Sequence, residues 1–155
     1  MVGHLSALIH FVPEIVATAT LVVDTKGKGF SNITAEAERF IEESRAGDGV
    51  LFLYLRHTSA SLVIQENADP DVQKDLATAL ERMAPENAKW VHTVEGPDDM
   101  PAHVKAMITG ISLQVPVNLG KLWLGQWQGI YLAEHRSKPH RREVVLQYIG
   151  SSATD

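Results

Sequence analysis

Three of the seven histidines in this chain stand where predicted apolar elements meet polar loops. His57 follows the run VLFLYLR, His92 follows Trp90 and Val91, and His103 falls in the first turn of a predicted helix after EGPDDMP. Neutral imidazole nitrogens at three such boundaries can form three sides of a tetrahedral metal site and leave one position for water or substrate. Their spacing matches no short metal motif such as H-E-x-x-H, and on spacing alone hydrogen-bonded structural or surface histidines account for them more simply. On the same terms Asp98 and Asp99 read as acids before the positive end of a helix. HRSKPHRR, from His135 to Arg142, reads as a solvated basic turn. The chain has no cysteine, so thiolate nucleophiles, disulfides and cysteine-ligated zinc are excluded, and any transition metal must be held by histidine and carboxylate.

The elements that must position these residues alternate between strands and short helices. IVATATLVVD (residues 15–24) is β-branched and reads as a strand, followed by a turn through Gly27 and Gly29. That glycine pair begins like a dinucleotide fingerprint, but Asn32 occupies the third glycine position and no acidic residue ends a second parallel strand, so it is a turn. Thr34 is the expected N-cap of a helix with an apolar face of Ile33, Ala37, Phe40 and Ile41, ending near Gly47. Val50 to Leu55 is apolar on both faces, as a central strand is, and Ala60 to Gln65 can pair beside it. Asp69 caps and Pro70 opens a second helix lined by Val72, Leu76, Ala79, Leu80 and Met83 and ended by Pro85. A third short helix is expected from about Pro101 to Ile108, with Gly110 as its stop. The remainder holds three or four strands, and SSATD reads as a frayed tail. The expected class is α+β, antiparallel sheets carrying a few helices.

With 155 residues and 45% hydrophobic content, the chain is expected to be a single domain, residues 1–155, with a core that needs no staples. A formal charge of -5 with one short basic run disfavours nucleic-acid binding. The apolar N-terminus lacks a cationic lead and a cleavage site, and Pro13 and Glu14 interrupt it short of a membrane span, so the expectation is a soluble cytoplasmic protein without a membrane partner.

Four blocks carry a resemblance: HTSASLVIQENADPDVQKD, HTVEGPDDMPAHVKA, VPVNLGKLWLGQWQGIYLAEHR and the late arginines. In order, from about Ile15 to Gly150, they resemble the YjbQ-like family, also called the secondary thiamine-phosphate synthase enzyme family, with residues 1–14 as an N-terminal extension. The resemblance implies a compact α+β sandwich, a homotrimer, and a polar pocket near the subunit interface where histidines and acids gather. It also implies a metal ion on histidines and a weak thiamine phosphate synthase activity, as in some members. Matched residue by residue, the family pattern selects His57, Thr58, Glu66, Asn67, Asp75, His92, Asp98, Asp99, His103, Gln128 and Arg142. Two departures stand out. Ala68 replaces a cysteine of many relatives, and Lys138, Pro139 and His140 stand where other branches carry Gly-Pro-Arg.

The implied chemistry joins a pyrimidine diphosphate to a thiazole phosphate with loss of pyrophosphate. It wants a divalent ion or arginine on the leaving group and an aromatic wall beside the pyrimidine. The resemblance therefore casts His57, His92 and His103 as metal ligands and Glu66, Asp98 and His103 as the catalytic groups. Thr58, Asn67, Trp127, Gln128 and Arg142 would bind a small phosphorylated metabolite. A three-histidine site suits zinc better than magnesium, which prefers a water-rich carboxylate shell. Two alternatives stay open: a metal-dependent hydrolase in which Glu66 or Asp98 handles the proton, and a non-catalytic trimer that binds a phosphorylated metabolite.

Overall fold

In the computed structural model, which describes residues 2–154, the longest strand is RREVVLQYIGSS at the end of the chain. Arg142, Val144, Leu146, Tyr148 and Gly150 are buried along one of its faces, while Glu143, Val145, Gln147 and Ile149 alternate on the other, the period-2 pattern of a strand with one face in a core. The elements run β1 (Ile15–Asp24), β2 (Gly29–Asn32), α1 (Thr34–Glu43), β3 (Ala46–Leu55), β4 (Ala60–Glu66), α2 (Pro70–Met83), α3 (Asp99–Thr109), β5 (Ser112–Asn118), β6 (Lys121–Leu122), β7 (Gln128–Glu134) and β8 (Arg141–Ser152). They form a five-stranded sheet, β1-β8-β3-β5-β6, and a three-stranded sheet, β2-β7-β4, with every pairing antiparallel. The fold is α+β, as the sequence predicts.

The core lies where the buried faces of the two sheets meet. Leu51, Leu53, Leu55, Val115, Val144 and Leu146 of the large sheet join Leu62, Ile130 and Leu132 of the small one, and α1 adds Ala37 and Ile41. Each such aliphatic side chain stabilises the fold by about 1.5–3 kcal/mol through burial. The opposite face of the large sheet carries Val16, Val50, Phe52, Tyr54, Val145 and Ile149, all half-buried or exposed. None of the helices in the described residues is long and apolar enough to cross a membrane.

Local chemistry explains where element ends differ from the sequence reading. Thr34 is the first helical residue of α1 and not its cap. The carboxamide oxygen of Asn32 accepts from both the backbone N–H and the hydroxyl of Thr34, at 3.0 and 2.7 Å, so an Asx turn starts the helix. β3 begins at Ala46, not Val50, with a register irregularity between Ala46 and Gly49. Gly49 is required there, since a Cβ would lie 2.3 Å from the carbonyl oxygen of Ile149. Ser151 and Ser152 belong to β8, and the Ser152 hydroxyl and N–H are bound by the Glu14 carboxylate, so the expected frayed tail begins later. Its last residue, Asp155, lies outside the described residues, as does Met1. Residues 2–14 form no regular element.

Polar residues are buried at one end of the sandwich, where β4 starts, β7 ends and β8 starts. The Glu134 carboxylate accepts from Nε and Nη2 of Arg142 at 2.8 and 2.6 Å and from the Thr25 hydroxyl at 2.9 Å. Next along the chain, His135 is buried with its Nε2 2.7 Å from the Ser61 hydroxyl. Burial and the nearby charge of Lys105 push its pKa down to about 4, so its ring is neutral in the folded protein.

A histidine with a depressed folded pKa contributes stability above its unfolded value of about 6.5, and that contribution is lost as pH falls toward the folded value. Urea titration is expected to show about 2 kcal/mol less stability at pH 5 than at pH 7 from this group, and His135→Gln should flatten that part of the profile. The same pH dependence in His135→Gln would assign the acid sensitivity elsewhere.

Candidate functional site

The fifteen residues between α2 and α3 lack regular structure, and three contacts shape them. Lys105 of α3, buried, donates to Glu81 of α2 at 2.6 Å and fixes the two helices at the loop's ends. The Trp90 indole N–H donates to the Pro85 carbonyl at 2.9 Å. From the turn after β7, Arg136 reaches into the loop. Its Nη1 donates to Asp99 Oδ1 at 2.5 Å, its Nε to Asp98 Oδ2 at 3.2 Å and its Nη2 to the Glu95 carbonyl at 2.9 Å.

These contacts bring His92 of the loop against the first turn of α3. Its Nε2 is 2.8 Å from Asp99 Oδ2, and the same oxygen lies 3.1 Å from Nε2 of His103. Asp99 and His103 are four residues apart, a spacing that places them on one helix face. One ligand atom from each of His92, Asp99 and His103 lies within 4.8 Å of the others, and this is the group in the described residues with the dimensions of a metal site. In a tetrahedral zinc shell with bonds of 2.0–2.1 Å, donors stand about 3.3 Å apart. Asp99 is 2% exposed. Burial raises its pKa, but the His92 hydrogen bond and the charges of His103 and Arg136 outweigh it, so the carboxyl is held below its ordinary value.

His103 defines the electronic state of the cluster. Its Nδ1 is 2.9 Å from the Thr58 carbonyl, which can only accept, so Nδ1 carries the proton. In a neutral ring the Nε2 lone pair then faces the Asp99 carboxylate, an acceptor against an acceptor. A cation resolves that contact, either a second proton on the ring or a metal ion shared with Asp99. A histidine whose far N–H is held by a backbone carbonyl is the usual geometry of an oriented metal ligand.

Two clefts flank the cluster. The one on the His103 side is bounded by His57, Thr58, Ala106, Met107, Gly110 and Ile111. The one on the His92 side is bounded by the loop around Trp90.

The family model of the UPF0047 protein YjbQ-like group matches residues 19–151. The chain belongs to this family. It is 44% identical over 131 residues to the UPF0047 protein sll1880 of Synechocystis, covering 84% of this chain and 89% of that protein. It is 41% identical over 132 residues to the UPF0047 protein YjbQ of Escherichia coli O157:H7, covering 84% and 96%. In three dimensions it is similar to the hypothetical protein APE1520 of Aeropyrum pernix, at a TM-score of 0.81 and 27% identity over 87% of this chain and 99% of that one. The conserved hypothetical protein TT1486 of Thermus thermophilus gives a TM-score of 0.74 at 37% identity, over 82% and 97%.

Of the residues selected from sequence, His92 and His103 come together, with the Thr58 carbonyl behind His103. His57 stands apart from the cluster. Its Nε2 accepts the Glu143 backbone N–H at 2.8 Å, which occupies that nitrogen's lone pair, and burial together with Arg142 lowers its pKa. The third residue of the close group is Asp99. Asp98 faces the other way: its Oδ2 accepts from Arg136 and from the Ser137 N–H, and despite its burial these contacts lower its pKa, so it is no proton reservoir near neutrality. Arg142, expected on phosphate, is 4% exposed and engaged by Glu134 and Ser59. Glu66, Asn67, Trp127 and Gln128 gather at the far end of the β4–β7 pair, where Glu66 is opposite Gln128 and Asn67 donates to the carbonyls of Trp127 and Gln128. Six residues of strand separate Glu66 from Ala60, about 20 Å. Asp75 is exposed on α2.

The sequence reading passed over Arg136. HRSKPHRR is not a solvated turn, since His135 and Arg142 are buried and the Arg136 side chain is 14% exposed among carboxylates. The available signal was charge complementarity between the acids of EGPDD and this basic run.

His92→Ala, Asp99→Asn and His103→Ala are each expected to weaken zinc binding more than about 100-fold, beyond the loss typical of an outer contact, while His57→Ala retains it. Elemental analysis and competition titration, with circular dichroism as folding control, make the comparison. Stoichiometric zinc in Asp99→Asn would contradict the assignment.

Proposed function

We propose that this UPF0047 protein is a metal-dependent enzyme acting on a small phosphorylated metabolite, with a divalent ion held by His92, Asp99 and His103. The observation that supports it is the convergence of His92 Nε2 and His103 Nε2 on one oxygen of the buried Asp99 carboxylate, with His103 oriented by its Nδ1 contact to the Thr58 carbonyl, an arrangement that calls for a cation. Two imidazoles and one carboxylate form a zinc donor set, whereas magnesium favours oxygen ligands and retained water. When bound, the ion supplies Lewis acidity, polarising a phosphoryl oxygen and acidifying water.

The chain's own residues supply orientation and exclusion. The Thr58 carbonyl sets the tautomer and direction of His103. Arg136 holds Asp99 in place while leaving Oδ2 toward the histidines. His57, kept neutral, lines the apolar cleft with Met107 and Ile111, where a non-polar part of the substrate can displace water. Hydrolysis of a phosphate ester is the reaction these groups suit best. A thiamine phosphate synthase type of transfer, which the family resemblance implies, is the second reading, favoured by the paired clefts that two substrates would need.

The assembly belongs to the same proposal. A homotrimer would carry the Glu66, Asn67, Trp127 and Gln128 end of one copy toward the histidine cluster of the next, across the distance that separates them within a chain. The Val16, Val50, Phe52 and Ile149 patch on the outer face of the five-stranded sheet, which also carries Thr18, Gln114 and Gln147, and the exposed Trp123 and Trp127 support such packing. Part of the apolar run from Leu122 to Tyr131 is core, because Ile130 and Tyr131 are buried.

The test is turnover by zinc-loaded and magnesium-loaded protein on a panel of phosphate esters and on the pyrimidine diphosphate and thiazole phosphate pair. Zinc-dependent release of phosphate is expected, and coupling of the pair with pyrophosphate release would select the synthase. Ligand binding without turnover of either kind would make the protein a binder. Light scattering is expected to give three times 17.0 kDa, about 51 kDa, and a monomer mass at micromolar concentration would remove the shared site.

A further inference from the structure

The first strand of the large sheet is an open edge. β1 pairs with β8 alone, in an unbroken register from Ile15 opposite Gly150 to Asp24 opposite Arg141. Thr25 continues that register by donating its N–H to the His140 carbonyl, and ladder bonds fall on alternate residues, so the odd-numbered N–H groups of β1 face β8. The N–H groups of Val16, Thr18, Thr20 and Val22 face the free side, where no acceptor meets them among the described residues. Edge strands are ordinarily blunted by lysine, proline or a bulge, and β1 has none of these over its 10 residues.

Residues 2–14, which precede the segment matched by the family, form no regular element. Among them Leu5, Leu8, Ile9, Phe11 and Val12 are 47% to 93% exposed, an apolar run that nothing in the chain covers. The stretch from Leu5 to Val12 contains neither glycine nor proline and has the length of an ordinary strand. To lie on its own β1 it would have to reverse over Pro13 and Glu14. A two-residue hairpin turn needs a positive φ at its first central residue, and proline is locked near about −65°. Glu14 is also held in line with β1, because its N–H donates to the Gly150 carbonyl at 2.8 Å and its carboxylate accepts from the Ser152 hydroxyl and N–H. A wider reversal would use up the apolar run itself.

We propose that residues 5–12 of one copy add as a further strand to the free edge of β1 in a second copy, so that the N-terminal arm is exchanged between subunits. Backbone carbonyls of the arm accept from the four outward N–H groups, and its apolar side chains lie beside the exposed Val16 and Val22. The inference rests on the assembly of copies proposed above and gives it a contact that lies outside the segment shared with the family. Arm and edge are different surfaces, so the contact is heterologous, and passed from copy to copy it closes in a ring.

Residue-resolved amide hydrogen exchange on the full chain, with light scattering on the same samples, tests it. In the assembled protein the N–H groups of Val16, Thr18, Thr20 and Val22 are expected to exchange about 100-fold more slowly than those of an open edge. Leu5→Asp combined with Ile9→Asp, at exposed positions outside every element, should return them to open-edge rates while the odd-numbered N–H groups of β1 stay protected, which shows the sheet intact. Thr20→Pro, which deletes one outward donor and spares the β8 ladder, should in turn free the amides of residues 5–12. Fast exchange at the four edge positions in the assembled full chain would overturn the inference, as would slow exchange that survives the paired Asp substitutions. Slow exchange that persists after dilution to a monomer would place the arm on its own β1 and overturn it as well. A monomer mass for wild type at micromolar concentration defeats the assembly itself, whereas a trimer mass with open-edge rates defeats only the arm contact.

Discussion

The guanidinium of Arg136 holds the site together. Asp98 and Asp99 begin α3, and Asp99 is buried, a position that an unpaired carboxylate could hold only at a cost of several kcal/mol. Arg136 compensates both acids with one planar fork and also binds the Glu95 carbonyl, so the long loop, the helix start and the end of β7 share one anchor. Arg136 is itself fixed by its neighbours in sequence. Glu134, two residues earlier, accepts its backbone N–H and is gripped by Arg142, while His135 is packed beneath Ser61. A rigid sandwich thus extends a polar arm that sets the direction of two histidines and a carboxylate.

The sandwich also explains why the selected residues divide into two groups. β4 and β7 run antiparallel, pairing Ala60 with Glu134 at one end and Glu66 with Gln128 at the other. The HTSA and QENAD blocks are contiguous in sequence but occupy opposite ends of the same strand. Residues that the family pattern collects therefore stand about 20 Å apart within one chain, a separation fixed by the length of the strand.

Much of the fold was legible because its signals are local. The β-branched run of β1, Asp69 with Pro70 at the start of α2, and Gly110 after α3 each specify an element or its end with one or two residues. α2 illustrates the limit of such signals: its apolar stripe predicted a helix correctly, yet no residue of it is fully buried, because periodicity reports a face and not what covers it. The site was legible in part. His92 and His103, which the family resemblance groups with His57, lie together, whereas the engagement of His57 by the Glu143 N–H depends on a strand 86 residues away and leaves no local sign in the sequence. Asp99 and Asp98 are adjacent acids with the same local signal. Asp99 shares the helix face of His103 four residues on, whereas Asp98 precedes the helix and meets Arg136 and the Ser137 N–H at the turn.

The central claim is that His92, Asp99 and His103 form a metal centre. Crystals grown without chelator in the presence of zinc, with diffraction recorded on both sides of the zinc absorption edge, test it most directly. The account predicts an anomalous peak at about 2.0–2.2 Å from a ring nitrogen of each histidine and from an oxygen of Asp99. A fully occupied peak on His57 or His135, or none with the three side chains ordered, would contradict it.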